Sequence, residues 1–237
     1  MFAGSMPLNN IHTICICGAG TMGSGIVQVA ALAGYKTIQY DISDAMVDKS
    51  RQNVYNALQK LVEKNKISRG QLEQAFSLIV FTSSFSDCKA DLVIEAVVEK
   101  KEIKIDRFNR LAAINKPDTI FATNTSSISV GAIAAACNRP GMVAGMHFFN
   151  PAPLMKLVEI VAAPSTSAIV VETLTAIAKK MGKSPVICTD APGFIVNRVA
   201  RHYYLEALRL VENDAADIET IDVVMEAAGF KMGPFKL

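Results

Sequence analysis

A histidine, an asparagine and a glutamate occur together between residues 145 and 159, in the segment GMHFFNPAPLMKLVE. His147 is one of only three histidines in the chain, and Glu159 lies on the following predicted strand, which would bring it beside His147. A histidine that is oriented by a carboxylate accepts protons near neutral pH. The segment therefore indicates a proton-transfer site, with the alternative that His147 only makes a structural hydrogen bond at a strand end.

A glycine-rich loop, Gly18-Ala-Gly20-Thr-Met-Gly23, joins the first predicted strand to the first predicted helix. In such a loop the first glycine permits a tight turn, the second lets backbone amides approach a pyrophosphate, and the third lets the helix pack closely on the strand. Asp41 ends the next predicted strand, where a carboxylate accepts hydrogen bonds from ribose hydroxyls. This order favours a dinucleotide site over a plain glycine-rich turn, formed by Gly18, Gly20, Thr21, Met22, Gly23 and Asp41.

The carboxylate of Asp41 also predicts the type of dinucleotide. It would repel the 2′-phosphate of NADP, and no arginine follows it closely. We therefore expect NAD as the cofactor. The chain contains no GxxxxGK[ST] motif, so a nucleotide triphosphatase is not supported.

Short β-branched runs alternate with longer amphipathic runs as far as residue 190. The predicted strands are 11–17, 36–41, 77–81, 91–95, 119–123, 142–147, 157–161 and 185–189. The clearest predicted helices are 22–33, 44–65, 100–114, 129–137 and 167–181. This alternation predicts an α/β fold with a mostly parallel, doubly wound sheet and helices on both faces. The last strands are candidates for antiparallel pairing.

The strand pattern stops at Asp190-Ala-Pro-Gly193, and the segments 194–212 and 218–228 then show helical periodicity. We predict a nucleotide-binding domain over residues 1–190 and the beginning of an all-helical domain over residues 191–237. The second segment is short for an independent core. We therefore expect it to pack on the first domain, on another copy, or on further sequence.

The composition favours a soluble globular protein. Lys and Arg number 24 against 22 Asp and Glu, so the net charge of +2 creates no strong field for nucleic acid or an anionic membrane. The nearly uncharged stretches 1–35 and 118–138 are interrupted by polar residues and glycines, which argues against a membrane span. Residues 1–35 contain no Lys or Arg. We therefore expect no secretory or transit peptide, and a cytoplasmic protein or, for a processed form, one of the mitochondrial matrix.

The chain has five cysteines. They form neither a CxxC pair nor a Cys/His set with the spacing of a zinc site. We therefore expect reduced, mostly strand-buried thiols and no metal. The five residues are Cys15, Cys17, Cys88, Cys137 and Cys188.

Six separated motifs together resemble the 3-hydroxyacyl-CoA dehydrogenase family, including its bacterial 3-hydroxybutyryl-CoA members. The motifs are GAGTMGSGI, the strand ending in Asp41, IEAVVE at 94–99, TNTSSIS at 123–129, GMHFFNPAP, and DAPGFIVNR at 190–198. The resemblance implies a Rossmann-type NAD domain followed by a helical domain. It also implies reversible oxidation of a 3-hydroxyacyl-CoA to the 3-oxoacyl-CoA, as in the β-oxidation of fatty acids, by a homodimer.

The resemblance assigns catalytic roles to four residues. It makes His147 the general base and Glu159 the carboxylate that orients it, where the alternative for Glu159 is a surface salt bridge. Ser126 and Asn197 match donors to the substrate oxygen. Local sequence alone favours simpler interpretations: Ser126 as a cap or turn residue, and Asn197 as a polar residue in the first turn of a helix.

Further positions match cofactor and coenzyme A contacts of the family. Asn150 resembles a residue close to the nicotinamide and the substrate, and Glu99 and Lys104 match positions that line the cofactor. Lys64 matches a coenzyme A contact, whereas Ala57 stands where some members have a serine. The alternative for Asn150 is a turn residue before a proline. For Glu99 and Lys104 it is an ordinary charge on a helix surface. The same alternative applies to the basic cluster that contains Lys64, namely Lys60, Lys64, Lys66 and Arg69.

The family continues beyond its GPF motif with further helices, whereas this chain ends at Gly233-Pro-Phe-Lys-Leu237. We therefore expect part of the helical domain to be missing and leucines of the 194–212 helix to be exposed. Two other functions stay open. One is a β-hydroxyacid dehydrogenase acting on free acids, although that class relies on a helical lysine where this chain has Asn197; the other is a non-catalytic NAD-binding protein.

Overall fold

A computed structural model of the chain describes residues 11–237. Its eight strands are β1 Thr13–Cys17, β2 Lys36–Tyr40, β3 Ile79–Thr82, β4 Leu92–Glu95, β5 Ile120–Thr123, β6 Val143–Phe148, β7 Leu157–Ala162 and β8 Ser184–Thr189. Its helices are α1 Thr21–Leu32, α2 Asp44–Glu63, α3 Arg69–Ser77, α4 Lys101–Ile114, α5 Val130–Ala134, α6 Ala168–Lys180, α7 Val196–Glu212 and α8 Ile218–Ala227. The first ten residues of the predicted first domain and of the uncharged stretch 1–35 lie outside this description.

One sheet contains all eight strands, in the order β3-β2-β1-β4-β5-β6-β7-β8. The six strands from β3 to β6 are parallel, as a Rossmann-type doubly wound fold requires. Strand β7 is antiparallel to β6, and β8 is parallel to β7. The segment 149–156 between β6 and β7 contains no helix, so the chain lacks the crossover that a parallel pair needs. Both the Rossmann-type α/β fold and the reversed direction of the last strands are therefore confirmed.

The central strands are buried on both faces, which explains why they are continuous apolar runs. Every residue of β4, β5 and β6 is buried. Helices cover both faces of a parallel sheet, so side chains that alternate between the faces all enter the core. Strand β8 lies at the edge of the sheet and leaves Val186 and Ile187 exposed.

The chain divides into two compact units, the first extending to Ala191 and the second from Pro192 to Leu237. In the second unit, Tyr203 and Phe230 stack with their ring centroids 4.8 Å apart. Three leucines of α7 are 42–45% exposed: Leu205, Leu208 and Leu210.

One helix was not predicted from the periodicity. The nine residues of α3 begin with a capping box, in which Ser68 and Gln71 each accept a hydrogen bond from the other's backbone amide. The predicted strand 77–81 therefore begins too early, because Ser77 ends α3 and the strand begins at Ile79. The apolar positions of α3 are few, so the capping residues were its clearest signal.

Candidate active site

The sheet places the side chains of His147 and Glu159 directly opposite each other. His147 lies near the end of β6 and pairs in register with Glu159 of β7. Paired residues of antiparallel strands project to the same face, which brings their side chains together. Nδ1 of His147 lies 2.7 Å from Oε2 of Glu159, and both residues are buried.

This contact determines how the imidazole can act. An ionised carboxylate only accepts hydrogen bonds, so Nδ1 carries the hydrogen that Glu159 receives. In the neutral ring the other nitrogen, Nε2, is then the proton acceptor. The ring of Phe149 lies 4.5 Å from the imidazole, measured between ring centroids, and restricts its rotation from one side.

Two glycines of the loop after β1 have no room for a side chain. Gly18 has a φ of +118°, and a Cβ there would lie 2.4 Å from the carbonyl oxygen of Ala96. A Cβ on Gly23 would lie 1.9 Å from the carbonyl oxygen of Gly18. Gly20, by contrast, has open space where a Cβ would stand. This geometry keeps α1 against the loop and leaves one side of Gly20 accessible.

Helix α1 begins without a side-chain cap. Gly20 is its N-cap residue, and no side chain accepts a hydrogen bond from the first turn, which contains Thr21 and Met22. The first amides of a helix have no partners within the helix and favour an anion. The loop and the helix start therefore fit the pyrophosphate of a dinucleotide.

Asp41 lies immediately after β2, beside the glycine loop. Its carboxylate accepts hydrogen bonds from the amide of Ala19 at 2.8 Å and from the amide of Ser43 at 3.1 Å. The carboxylate thereby fixes the loop, and its remaining acceptor positions suit ribose hydroxyls. A cavity of about 420 Å³ adjoins it. The lining residues are Gly18, Gly20, Tyr40, Asp41, Ile42, Met46, Ala96, Val97, Val98, Ile103 and Arg107.

Arg107 is a cavity residue that the sequence analysis missed. Its guanidinium carbon lies 5.1 Å from the ring centroid of Tyr40 and 5.8 Å from that of Phe85. The residue lies on α4, far along the chain from Asp41, so only the packing of α4 on the sheet brings the two to one cavity.

The loop after β5, which contains Ser126, is anchored by Glu99. Oε1 of Glu99 accepts hydrogen bonds from the amides of Ser126 at 3.1 Å and Ser127 at 3.3 Å, and from the hydroxyl of Thr125. Burial raises the pKa of Glu99, but the hydrogen bond from Thr125 and the charge of Lys104 outweigh burial and lower that pKa to about 2. Glu99 is therefore an ionised anchor of this loop at neutral pH.

Lys104 connects Glu99 to a second carboxylate, which the sequence analysis missed. Its ammonium nitrogen lies 3.1 Å from Glu99, and 2.8 and 3.0 Å from the two carboxylate oxygens of Glu95. Lys104 and Glu95 are almost completely buried. Glu95 also accepts hydrogen bonds from the amide of Val97 and the hydroxyl of Thr123. An acid that ends the apolar strand LVIE was a signal that could have identified it.

Asn124 joins the Ser126 loop to the histidine strand. Its side-chain oxygen accepts a hydrogen bond of 2.8 Å from the amide of Phe148, the residue after His147. The ends of β5 and β6 are therefore fixed relative to each other. Asn124 belongs to the TNTSSIS motif, but its role could not be derived from that motif.

The segment after β6 carries Asn150, which is exposed and precedes a cis peptide bond to Pro151. Lys183 anchors this segment, because its ammonium group donates hydrogen bonds to the carbonyl oxygens of Ala152 and Met155. Burial, together with the charge of Lys156, lowers the pKa of Lys183. The segment that follows Asn150 is thus held by a lysine that immediately precedes β8.

Two further predicted residues, Asn197 and Lys64, lie at helix ends. Asn197 is the second residue of α7 and belongs to the second unit, so its relation to His147 stays a prediction. Lys64 follows α2 as its C-cap residue and is exposed. It does not line the cavity of about 300 Å³ beside α1 and α2, which includes Ala57, Lys49 and Thr21.

Among residues 11–237, no helix is both long and apolar enough to span a bilayer.

Comparison with known proteins gives matches over nearly the whole chain. The model of the 3-hydroxyacyl-CoA dehydrogenase NAD binding domain matches residues 13–191, and that of the 3-hydroxyacyl-CoA dehydrogenase C-terminal domain matches residues 193–237. The 3-hydroxyadipyl-CoA dehydrogenase of Escherichia coli is 46% identical over 96% of this chain, and the mitochondrial hydroxyacyl-coenzyme A dehydrogenase of Sus scrofa is 41% identical over 96%. The chain spans about half (48%) of the first relative and 75% of the second.

Solved structures agree with these matches. The (S)-3-hydroxybutyryl-CoA dehydrogenase of Ralstonia eutropha has a TM-score of 0.92 and 37% sequence identity, covering 95% of this chain and 80% of that chain. The family model identifies the first domain as one that binds NAD, in agreement with the glycine loop and Asp41. The chain therefore belongs to the 3-hydroxyacyl-CoA dehydrogenase family.

Proposed function

We propose that this protein catalyses the reversible NAD-dependent oxidation of a 3-hydroxyacyl-CoA to the 3-oxoacyl-CoA. The observation that carries the proposal is the buried contact of 2.7 Å between His147 and Glu159. The family membership and the fit of the glycine loop to a dinucleotide support it. A 3-hydroxyl group must lose a proton as its carbon loses hydride, so the site needs a base.

In the proposed mechanism Nε2 of His147 removes the proton of the 3-hydroxyl group. Glu159 keeps the imidazole in the required tautomer and stabilises the imidazolium cation that forms. Bound NAD supplies the hydride acceptor. Both protein groups are buried, so water competes little for the proton and the ion pair is poorly screened.

Ser126 and Asn197 are proposed to donate hydrogen bonds to the substrate oxygen. The Ser126 loop is fixed by Glu99 and, through Asn124, to the end of β6, which suits a donor that must keep its position. Asn150, which follows β6, is proposed to lie close to the nicotinamide and the substrate. Glu99 and Lys104 remain proposed cofactor-lining residues; Lys104 is almost completely buried and would act there through its ion pair with Glu99.

The coenzyme A moiety requires contacts of its own. Lys64 is exposed at the end of α2, where an ammonium group is available to a phosphate. The alanine at position 57 offers no hydroxyl, so the contact made there by serine-containing relatives is absent from this proposal. We further propose that the partner protein is a second copy of this chain.

The substitution His147→Gln tests the assignment of the base. We expect the oxidation of NADH in the presence of acetoacetyl-CoA to fall by about 10²–10⁴-fold, because in this direction the residue must donate the proton that it accepts during oxidation, and the amide can do neither. NADH binding, measured by fluorescence titration, should remain. The matched control is His12→Gln, which changes an exposed histidine before β1 and should keep full activity.

Other outcomes would favour the two alternative functions. Unchanged turnover in His147→Gln would show that the base is another group. Turnover of free 3-hydroxy acids but not of their coenzyme A esters would identify a β-hydroxyacid dehydrogenase. Tight NAD binding without turnover of acyl-CoA esters of any length would indicate a non-catalytic NAD-binding protein.

A further inference from the structure

Three cysteines that are separated in sequence meet inside the first unit. Cys15 and Cys17 alternate with Ile16 along β1 and therefore project to the same face. Cys88 ends the short 3₁₀ helix Phe85–Asp87. All three are completely buried, and their sulfur atoms lie within 4.8 Å of one another.

The sulfur separations suit a metal ion better than a disulfide. Sγ of Cys15 and Sγ of Cys17 lie 3.9 Å apart. A metal–thiolate bond of about 2.3 Å places the sulfur atoms of a trigonal site about 4 Å apart. A disulfide needs a separation of about 2 Å, so forming one would require much larger movements than binding a metal ion.

The ligand set also restricts the type of ion. Within residues 11–237, the group contains three thiols and no histidine or carboxylate. Structural zinc sites are almost always four-coordinate, whereas thiolates alone suit a soft ion such as Cu(I). Because the site is buried, water is poorly placed to supply a fourth ligand.

Arg107 provides a second, independent observation. Its Nε and Nη1 atoms are buried and have no hydrogen-bond partner among the described residues. Its guanidinium lies within electrostatic range of Cys17 and Cys88. Arg107 is half-buried, and a cation whose buried nitrogen atoms lack partners favours an anionic neighbour; three thiolates around a monovalent ion would carry a net charge of −2.

We propose that Cys15, Cys17 and Cys88 form a three-coordinate thiolate site for a soft monovalent ion, Cu(I), whose negative charge is balanced by Arg107. On binding, three S–H groups lose their protons to solvent and three metal–sulfur bonds form, with no change in oxidation state. The site adjoins the dinucleotide loop, because Cys17 directly precedes Gly18.

An anaerobic titration with Cu(I) in competition with the chelator bathocuproine disulfonate tests this proposal on the whole chain. We expect one Cu(I) per chain, an ultraviolet thiolate-to-copper charge-transfer band, and three sulfur neighbours by X-ray absorption. Cys15→Ala and Cys88→Ala should each lower the affinity at least 100-fold. Arg107→Met should lower it about tenfold, as loss of a neighbour of the ligands usually does.

Cys137→Ala and Cys188→Ala are the matched controls, because these cysteines lie outside the group and should leave the affinity unchanged. Circular dichroism of each variant checks its folding, and Arg107→Met provides a test that keeps all three ligands. Four results would each overturn the proposal: no copper retained against the chelator, nitrogen or oxygen neighbours, unchanged affinity in folded Cys88→Ala, or a disulfide among the three cysteines in the isolated protein.

Discussion

At the scale of single residues, the central feature is an imidazole whose orientation is determined by one carboxylate. The contact between His147 and Glu159 is short and buried, so the tautomer of the ring follows from the chemistry of the carboxylate. The substitution Glu159→Gln removes the negative charge of this side chain but keeps its shape. It therefore separates the orienting role of Glu159 from its contribution to packing. The role of the pair in catalysis is a proposal, and kinetics can test it directly.

Glu159→Gln is expected to lower kcat by about 10²–10⁴-fold, because the amide neither fixes the required tautomer nor stabilises the imidazolium. The KM for NADH should change little, since the glycine loop is untouched. Steady-state kinetics with acetoacetyl-CoA provide the measurement. The control is Glu73→Gln, which changes an exposed acid on α3. If Glu159→Gln kept a kcat close to that of the unmodified protein, the proposed role of Glu159 would be contradicted.

At the scale of elements, buried charges join β4, α4 and the loop after β5. Glu95 ends β4, Lys104 lies in the first turn of α4, and Glu99 binds the Ser126 loop. These groups connect elements that are distant in the chain. Replacing one member of a buried ion pair by a neutral residue leaves the other charge buried without compensation. This destabilises a fold far more than the loss of a surface ion pair.

Lys104→Met is expected to lower the free energy of unfolding by about 3–5 kcal/mol, because Glu95 then remains buried without its cation. Urea denaturation followed by circular dichroism measures the change. The double substitution Lys104→Met with Glu95→Gln should recover part of the loss, because the neutral amide oxygen still accepts from Val97 or Thr123. Lys101→Met, an exposed lysine on the same helix, should have almost no effect. No recovery in the double variant would argue against an uncompensated charge as the cause.

The lowered pKa of Glu99 predicts a pH dependence of stability. The folded-state pKa is about 2, and the unfolded-state value is about 4.3. The ionised group therefore stabilises the fold above about pH 4.3, and this contribution disappears as the pH falls towards 2. The difference in unfolding free energy between the unmodified protein and Glu99→Gln should shrink over that interval. The side chain is 37% exposed, so solvent screening keeps the effect modest. A difference that is constant with pH would contradict this explanation.

At the scale of the whole molecule, the second unit exposes apolar side chains. Besides the leucines of α7, Val223 and Val224 of α8 are more than half exposed, at 61% and 57%. Apolar surfaces of this kind commonly mark an interface with another protein. The proposed homodimer would cover them.

Sedimentation velocity at increasing protein concentration should therefore show self-association. The double substitution Leu205→Lys with Leu208→Lys is expected to shift the distribution towards the monomer, because it places charges on the apolar surface. The control is Arg209→Lys, which keeps the charge of an exposed position on the same helix. A single monomeric species at all concentrations would contradict the proposed dimer.

The sequence by itself determined the parts that depend on local pattern. Alternating apolar runs predicted the α/β fold, and the sheet topology confirmed it. The glycine loop and Asp41 indicated NAD because the loop, the helix start and the acid follow each other along the chain. The helix α3 escaped prediction because its amphipathic pattern is short and its capping box supplies much of the signal.

Only the tertiary structure decided which distant residues meet. The sequence predicted that Glu159 would lie beside His147, and the register of β6 with β7 supplies the exact pairing. The packing of α4 on the sheet, which the sequence did not indicate, brings Lys104 to Glu95 and Arg107 to the cavity beside Asp41. The cysteine group has the same origin, since Cys88 is separated from Cys15 by two strands and three α-helices. Local sequence carries helix and strand preferences, but contacts between elements depend on register and packing, which no short segment specifies.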